Sequence, residues 1–417
     1  MSDVDAVVVG AGPAGTASAI LLAAAGWRVM LVEQHPYPRQ KVCGECLTPA
    51  GLALLHDLGV GERVLEHAGP ELTNVGWMSQ RPTLIAALPP CTVGPHRYGR
   101  ALGRDTLDSL LLARAAALGV DVLQPAKVRR IDAMAGGFRS EIKWNGNDRT
   151  RSAESTSTVH SRYVIDAHGS WEPAPAGAPV ARSVQRGSDL FGFKASFRDA
   201  QLRAGLLPVL SFKGGYGGIV VAEGGRLTLA GCIRRDTLQA WRSQRPGTSA
   251  GLAMEEYLRA SCLGIREALD GAKRLDAWLT VGPLRPGIRT TRNTGALLVG
   301  NAAGELHPLI GEGMSMALQS AFLLTDLLTR HGARDTDPAE ARLRRAYDDA
   351  WRRLFMPKMR VAAAYAHLAM RPAAARSAGM VLRRFPRVLT VAARWAGKSH
   401  EPAVPRGVRL SLQSGTL

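Results

Sequence analysis

Cysteine is scarce in this chain, with five residues in 417: Cys43, Cys46, Cys91, Cys232 and Cys262. A low, odd count argues against a disulfide framework and fits a reducing compartment, so a cytoplasmic protein is expected. Long apolar runs are missing too. No stretch approaches the roughly 20 residues that span a bilayer, which excludes a transmembrane helix. The first residues lack a basic segment ahead of an apolar one, so no signal peptide is expected. There is no second C-x-x-C and no histidine pattern with ligand spacing, so no metal site is expected. Acidic residues are outnumbered, 35 Asp and Glu against 53 Lys and Arg, a net charge of +18. Residues 351–400 hold eleven Lys or Arg and no Asp or Glu. Aromatics do not interleave with that charge and no reading motif accompanies it, which argues against a nucleic-acid partner. A solvated face explains such a run; the alternative is an acidic carrier protein, a protein substrate or a membrane surface at basic C-terminal helices.

What is present begins at residue 4. A short β-rich run, 4–9, meets Gly10-Ala-Gly-Pro-Ala-Gly15, then an Ala- and Leu-rich helical stretch, then a second strand at 28–32 closed by Glu33. This is a βαβ opening with G-x-G-x-x-G at its first turn. Gly10 permits the tight turn, Gly12 lets backbone approach a pyrophosphate, and Gly15 lets helix and strand pack closely. Pro13 and Ala14 open a helix whose N-terminal N–H groups face the phosphates. Glu33 stands where it can accept from a ribose diol, and its charge disfavours a 2′-phosphate.

Further along, Leu107, Leu110, Leu111, Ala115 and Leu118 mark one face of a helix over 104–118, with Arg114 at its edge reaching water. Residues 137–160 read as a hairpin and polar loop, 163–166 as a buried strand, and 172–182 as a linker. From 190 to 233 short β-like runs separated by glycine predict an antiparallel sheet. Residues 296–299 return to a core strand. Residues 313–331 and most of 338–398 read as helix, the latter interrupted at its prolines.

Four segments resemble the motifs of the single-component FAD-dependent monooxygenases, whose scaffold is shared by geranylgeranyl reductases and flavin-dependent halogenases. Residues 299–314, Val-Gly-Asn-Ala-Ala-Gly-Glu-Leu-His-Pro-Leu-Ile-Gly-Glu-Gly-Met, resemble their second FAD motif. Residues 163–170, Tyr-Val-Ile-Asp-Ala-His-Gly-Ser, resemble the strand ending in Ala-Asp-Gly. Residues 38–45, Pro-Arg-Gln-Lys-Val-Cys-Gly-Glu, resemble the loop along the flavin, and 103–108 the helix start whose Arg lies near the ribityl chain or pyrophosphate.

The resemblance implies an α/β fold: a Rossmann-type FAD-binding domain, an inserted and mainly antiparallel β-sheet substrate domain, and a helical C-terminal region. The corresponding segments are 1–70, 101–171 and 286–332; 71–100 and 172–285; and 333–417. It implies FAD contacts from Arg39, Lys41, Cys43, Gly44, Arg104, Asp166, Gly169, Asn301, Pro308, Gly311, Gly313 and Met314. Cys43 and His307 are its candidate catalytic residues. Glu312 is expected to cap the helix after it or order its turn. Asn301 and His168 stand where the family has Asp, which puts direct reduction by NAD(P)H in question and leaves a separate reductase as electron source.

The activity implied is hydroxylation by O2, through a flavin peroxide, of an electron-rich aromatic substrate, either free or tethered to a carrier or protein. Tryptophan-hydroxylating flavoproteins of quinone-cofactor biogenesis are among the relatives considered. The alternative is reduction of C=C bonds in an isoprenoid or acyl chain, favoured by Cys43-Gly44. A halogenase is disfavoured because Trp-x-Trp-x-Ile-Pro is missing. A non-catalytic FAD-binding scaffold is disfavoured by the preserved flavin-facing loop.

Overall fold

The structure is a computed structural model. It describes residues 3–145, 156–170, 185–289, 295–331, 337–398 and 402. The linker expected at 172–182, and Trp171, lie outside the described residues.

Two sheets organise the molecule. In the first, parallel strands run in the order Asp121–Leu123, Val29–Val32, Val4–Val9, Thr156–Asp166, with Leu297–Leu298 also parallel to the last. Gly137–Trp144 and Ala126–Met134 continue it antiparallel. The central strands are apolar on both faces because helices or strands cover both. Ala6, Val7, Val8 and Ile165 are fully buried, the valines and isoleucine each contributing roughly 1.5–3 kcal/mol on burial. Helices Pro13–Ala24, Arg104–Ala117 and Gly313–His331 pack together on one face.

The second sheet is built from Leu190–Arg198, Leu227–Arg234, Gly215–Val221 and Leu206–Phe212, all antiparallel. Asn74–Met78 joins it parallel to Leu206–Phe212, followed by Leu84–Ala87. Alternation sorts its faces. Leu227, Leu229 and Ile233 pack with helices Arg235–Ser243, Ala250–Ser261 and Leu263–Ala268. Thr228, Ala230 and Cys232 therefore face the other way, toward the first sheet's loops.

The prolines do not all break the C-terminal helices. One helix runs from Asp337 to Met370 straight through Pro357, whereas Pro372–Arg384 and Arg387–Trp395 are separate. The long helix is held by burial on both sides of Pro357: Tyr347, Trp351 and Phe355 before it, Ala362 and Ala366 after it. Tyr347 Oη donates to Leu298 O at 2.8 Å, tying this helix to the first sheet.

One buried cluster ties the second sheet to the loop that leaves the first. Lys194, fully buried, pairs with the equally buried Glu45, whose second oxygen accepts from Thr228 Oγ1 at 2.6 Å. Arg226 approaches the same carboxylate at 3.7 Å. Lys194→Met leaves the buried Glu45 charge to Thr228 and the more distant Arg226, and losing the main partner of such a pair costs up to about 3–5 kcal/mol. The thermal unfolding midpoint is expected to fall by several degrees, with much of the loss recovered when Glu45→Leu is added.

Candidate functional site

Gly10 has φ +98°, and a Cβ there would stand 2.7 Å from Ala167 O. At Gly15 a Cβ would overlap the Gly10 carbonyl. Both glycines are therefore required by the fold itself. Gly12 differs. Its backbone is extended (φ −70°, ψ 177°) at the start of helix Pro13–Ala24, and a Cβ would meet nothing nearer than Arg104 Nη2 at 3.8 Å. Open space thus lies against the helix N-terminus, and Arg104 looks across it.

Glu33 is almost fully buried at the end of the second strand. It accepts from Ala11 N at 2.9 Å and His35 N at 3.0 Å, and Arg39 approaches it at 3.5 Å. Arg39 Nε is buried without a hydrogen-bond partner. Arg104 is gripped by Asp108 through two bonds, at 2.9 and 2.6 Å. Burial works against its charge, but Asp108 outweighs that and keeps the guanidinium firmly protonated. Asp108 is one helical turn along, and its i, i+4 spacing was the signal in the sequence for this pairing. Tyr37 Oη donates to Ala11 O at 2.7 Å and closes the loop over the glycine turn.

Lys41 completes a trio of cations. Burial, then the charges of Arg104 and Arg39, push its ammonium down to about 8. Asp108 and Glu33 balance Arg104 and Arg39, but Lys41 has no acid within ion-pair distance among the described residues, so one cation is left over beside the open backbone N–H groups. A pyrophosphate bound there would reverse the depression. Below about pH 8 Lys41 is already charged; above it, binding must take up a proton. Affinity for a dinucleotide is therefore expected to weaken as pH rises beyond 8. Calorimetry in buffers of different ionisation enthalpy should report proton uptake near pH 8.5, and Lys41→Met should abolish it.

Asp166 ends its strand and bonds both the backbone and ring Nδ1 of buried His168. The histidine that replaces the expected Asp is thus held by the Asp two residues before it. Arg289 donates to Gly169 O at 3.1 Å, Asn301 O at 2.8 Å and Glu305 Oε2 at 2.9 Å, drawing the two motifs together. Asn301 Nδ2 donates to Ser170 Oγ at 2.8 Å. Met314 is buried in the core that helix Gly313–His331 shares with the glycine-turn helix, and Gly313 is exposed at its start.

Glu312 does not cap that helix through its side chain. Its carboxylate is buried and turned toward Lys358 at 3.5 Å, leaving Oε1 without a hydrogen bond, while its carbonyl accepts from Met316 N. Burial pushes this acid up, with Lys358 and Lys398 opposing. Arg114, expected to lay its stem along the core with its head in water, is half-buried, with Nε tucked against Gly59.

A cavity of about 490 Å³ adjoins these loops. Cys43, Gly44, Pro308 and Gly311 line one side, Ala230 and Cys232 another, and Leu382 and Leu389 of the C-terminal helices close it. Its wall is overwhelmingly apolar. Cys43 and Cys46 are both free thiols. Among the described residues no cluster could hold a metal ion.

Tyr216, on the cavity wall, bonds His307 Nδ1 at 3.0 Å. Burial holds its phenol protonated well above the ordinary range. His307 sits one step behind, off the wall. Burial, then His367, push its imidazole down to about 4, so it is neutral at physiological pH. The glycine turn and its acid could be read from the sequence. Lys194, Arg289 and the C-terminal cavity wall could not be placed from it.

The fit to FAD is good: an open helix end beside three cations, a buried carboxylate at ribose position, and an apolar chamber beyond the loops. The geometry defines an FAD-dependent oxidoreductase. Residues 3–213 match the family described as FAD binding domain, and the chain belongs to it. Residues 284–350 match the family described as Squalene epoxidase.

Among similar proteins, menaquinone reductase of Mycolicibacterium smegmatis is 27% identical over 94% of this chain and 91% of its own. The 6-methylpretetramide 4-monooxygenase of Streptomyces rimosus is 26% identical over 94% and 92%. The fold matches that of the myxobacterial chondrochloren halogenase, an FAD-dependent halogenase, with a TM-score of 0.74 at 19% identity, covering 98% of this chain and 95% of the other.

Proposed function

We propose that this oxidoreductase reduces a carbon–carbon double bond in a long, apolar chain of isoprenoid type. The observation that carries this is the cavity. It is large, apolar and flanked by Cys43-Gly44 and the Pro308–Gly311 turn, where a flavin ring would form one wall. Such a chamber offers a chain dispersion contacts and excludes water, but gives a small polar phenol few partners. A relative named for menaquinone reduction supports the same substrate class.

FAD, when bound, supplies the hydride for one carbon. The chain's own residues must do the rest: hold the double bond still, keep water out, and deliver a proton to the other carbon. Cys43 and Tyr216 both line the cavity, and the Cys43 thiol is the readier proton source, since burial holds the Tyr216 phenol protonated. His307, neutral behind Tyr216, bonds its hydroxyl and holds the ring in place; it is a positioning residue. Electrons reach the cofactor from NAD(P)H or from a separate reductase.

Oxygenation is the second reading. It is favoured by the squalene epoxidase match and by the monooxygenase relative. It keeps the hydroxylation of an electron-rich substrate, aromatic or unsaturated, with O2 as co-substrate. Anaerobic single turnover separates the two. Pre-reduced protein mixed with an isoprenoid quinone should yield, without oxygen and after chemical reoxidation of any quinol, a product whose side chain is two hydrogens heavier. Product that forms only in air and carries one added oxygen overturns the reductive reading.

A further inference from the structure

The two last helices carry apolar residues on both faces. In Arg387–Trp395, Leu389 and Ala393 point inward, and Ala396 just beyond its end is also buried. Val388, Val391 and Trp395, spaced i, i+3, i+7, form a stripe on the outside. With Met380 and Phe385 they leave a patch exposed at 64% (Met380), 56% (Phe385), 53% (Val391) and 67% (Trp395). A patch of large apolar side chains with no covering element marks an interaction surface.

Arginines rim it. Arg383, Arg384, Arg387 and Arg394 are exposed, and none is ion-paired among the described residues. No acid interrupts residues 351–400. The cavity opens here: Leu368, Val381 and Val388 line it and are exposed as well.

We propose that helices Pro372–Arg384 and Arg387–Trp395 dock the protein onto an anionic lipid surface, with the cavity mouth facing the lipid. Basic amphipathic helices with Trp and Phe on the apolar face lie in the headgroup region with their arginines on lipid phosphates. A second copy of this chain is a poor occupant, since face-to-face pairing sets unpaired arginines against one another. An acidic protein would match the charge but not an apolar stripe around a cavity mouth. No helix among the described residues is long and apolar enough to cross a membrane, so the chain would lie on the surface. Docking lets an apolar chain pass from bilayer to cavity without crossing water. Only that route rests on the proposed function; the docking itself does not.

Flotation of the FAD-loaded full chain with vesicles tests this. It should float with vesicles containing one-third phosphatidylglycerol, stay behind with pure phosphatidylcholine, and be released by salt near ~1 M, where screening is nearly complete. The triple change Phe385→Ser, Val391→Ser, Trp395→Ser and the triple change Arg383→Gln, Arg384→Gln, Arg387→Gln should each weaken partition at least about tenfold. Both variants should keep wild-type flavin content and wild-type turnover of a detergent-dispersed chain.

No flotation, equal flotation with neutral vesicles, or variants that float like wild type would overturn the proposal. So would a dimer that the serine variant dissociates, which would give the patch to a second copy. Protein that floats yet never reduces an isoprenoid bond would remove the functional reading and leave docking intact.

Discussion

Gly12→Val is expected to give a folded, colourless protein. The backbone at Gly12 is extended and suits any residue, and its Cβ direction is clear to 3.8 Å. The apo fold should therefore unfold at nearly the wild-type temperature. The new side chain projects into the space between the helix end and Arg104, where a pyrophosphate would sit. FAD affinity should drop at least about a hundredfold, roughly 2.7 kcal/mol. Gly15→Ala is the contrasting case: its Cβ runs into the Gly10 carbonyl, so the fold suffers before binding does. Titration of both apo variants with FAD, beside their melting curves, checks the distinction. A Gly12→Val protein that purifies yellow would show that this space is not the cofactor's.

Ala230→Trp is the matching change on the substrate side. Ala230 lies on Leu227–Arg234, on the cavity face between Thr228 and Cys232. An indole there enters the chamber without touching the glycine turn. Turnover of a long isoprenoid is expected to fall at least about a hundredfold, or near 2.7 kcal/mol in the activation barrier. Flavin content should be unchanged, and the loss smaller for a truncated chain. Steady-state rates across a chain-length series provide the measurement. Equal losses at every length would place the block at the reacting bond rather than along a chain-binding cavity.

How far the sequence could be read depended on how local each constraint is. The glycine turn and Glu33 lie within 24 residues; Gly10 and Gly15 answer a backbone requirement and Gly12 leaves space at the helix end, so their roles are legible in the motif. Arg104 was visible as a site residue; its partner Asp108 followed the helical spacing and was passed over. The cavity was legible only in part: the substrate-domain segments, loop 42–44 and turn 308–311 were expected around it and do line it, but the helices beyond 365 that close it were not. No periodicity links those segments.

Glu312 misled for a related reason. Its place at a helix start suggests a cap, but Lys358, 46 residues on, claims its carboxylate. His307 was found as a neighbour of the site, yet only the fold puts Tyr216 between it and the cavity. The basic run at 351–400 reads first as a solvated face, with a docking surface as the alternative. The exposed stripe ending at Trp395 favours the latter, because solvated faces do not carry five large apolar side chains.

The central claim is that bound FAD forms one wall of a chamber for an apolar chain. Its most direct test is a titration of the oxidised, FAD-loaded protein with geranylgeranyl compounds, followed by the visible flavin spectrum. A saturable spectral shift is expected, with affinity rising with chain length and lost in Ala230→Trp. A flat response to every chain length, or a stronger response to a simple phenol, would contradict it.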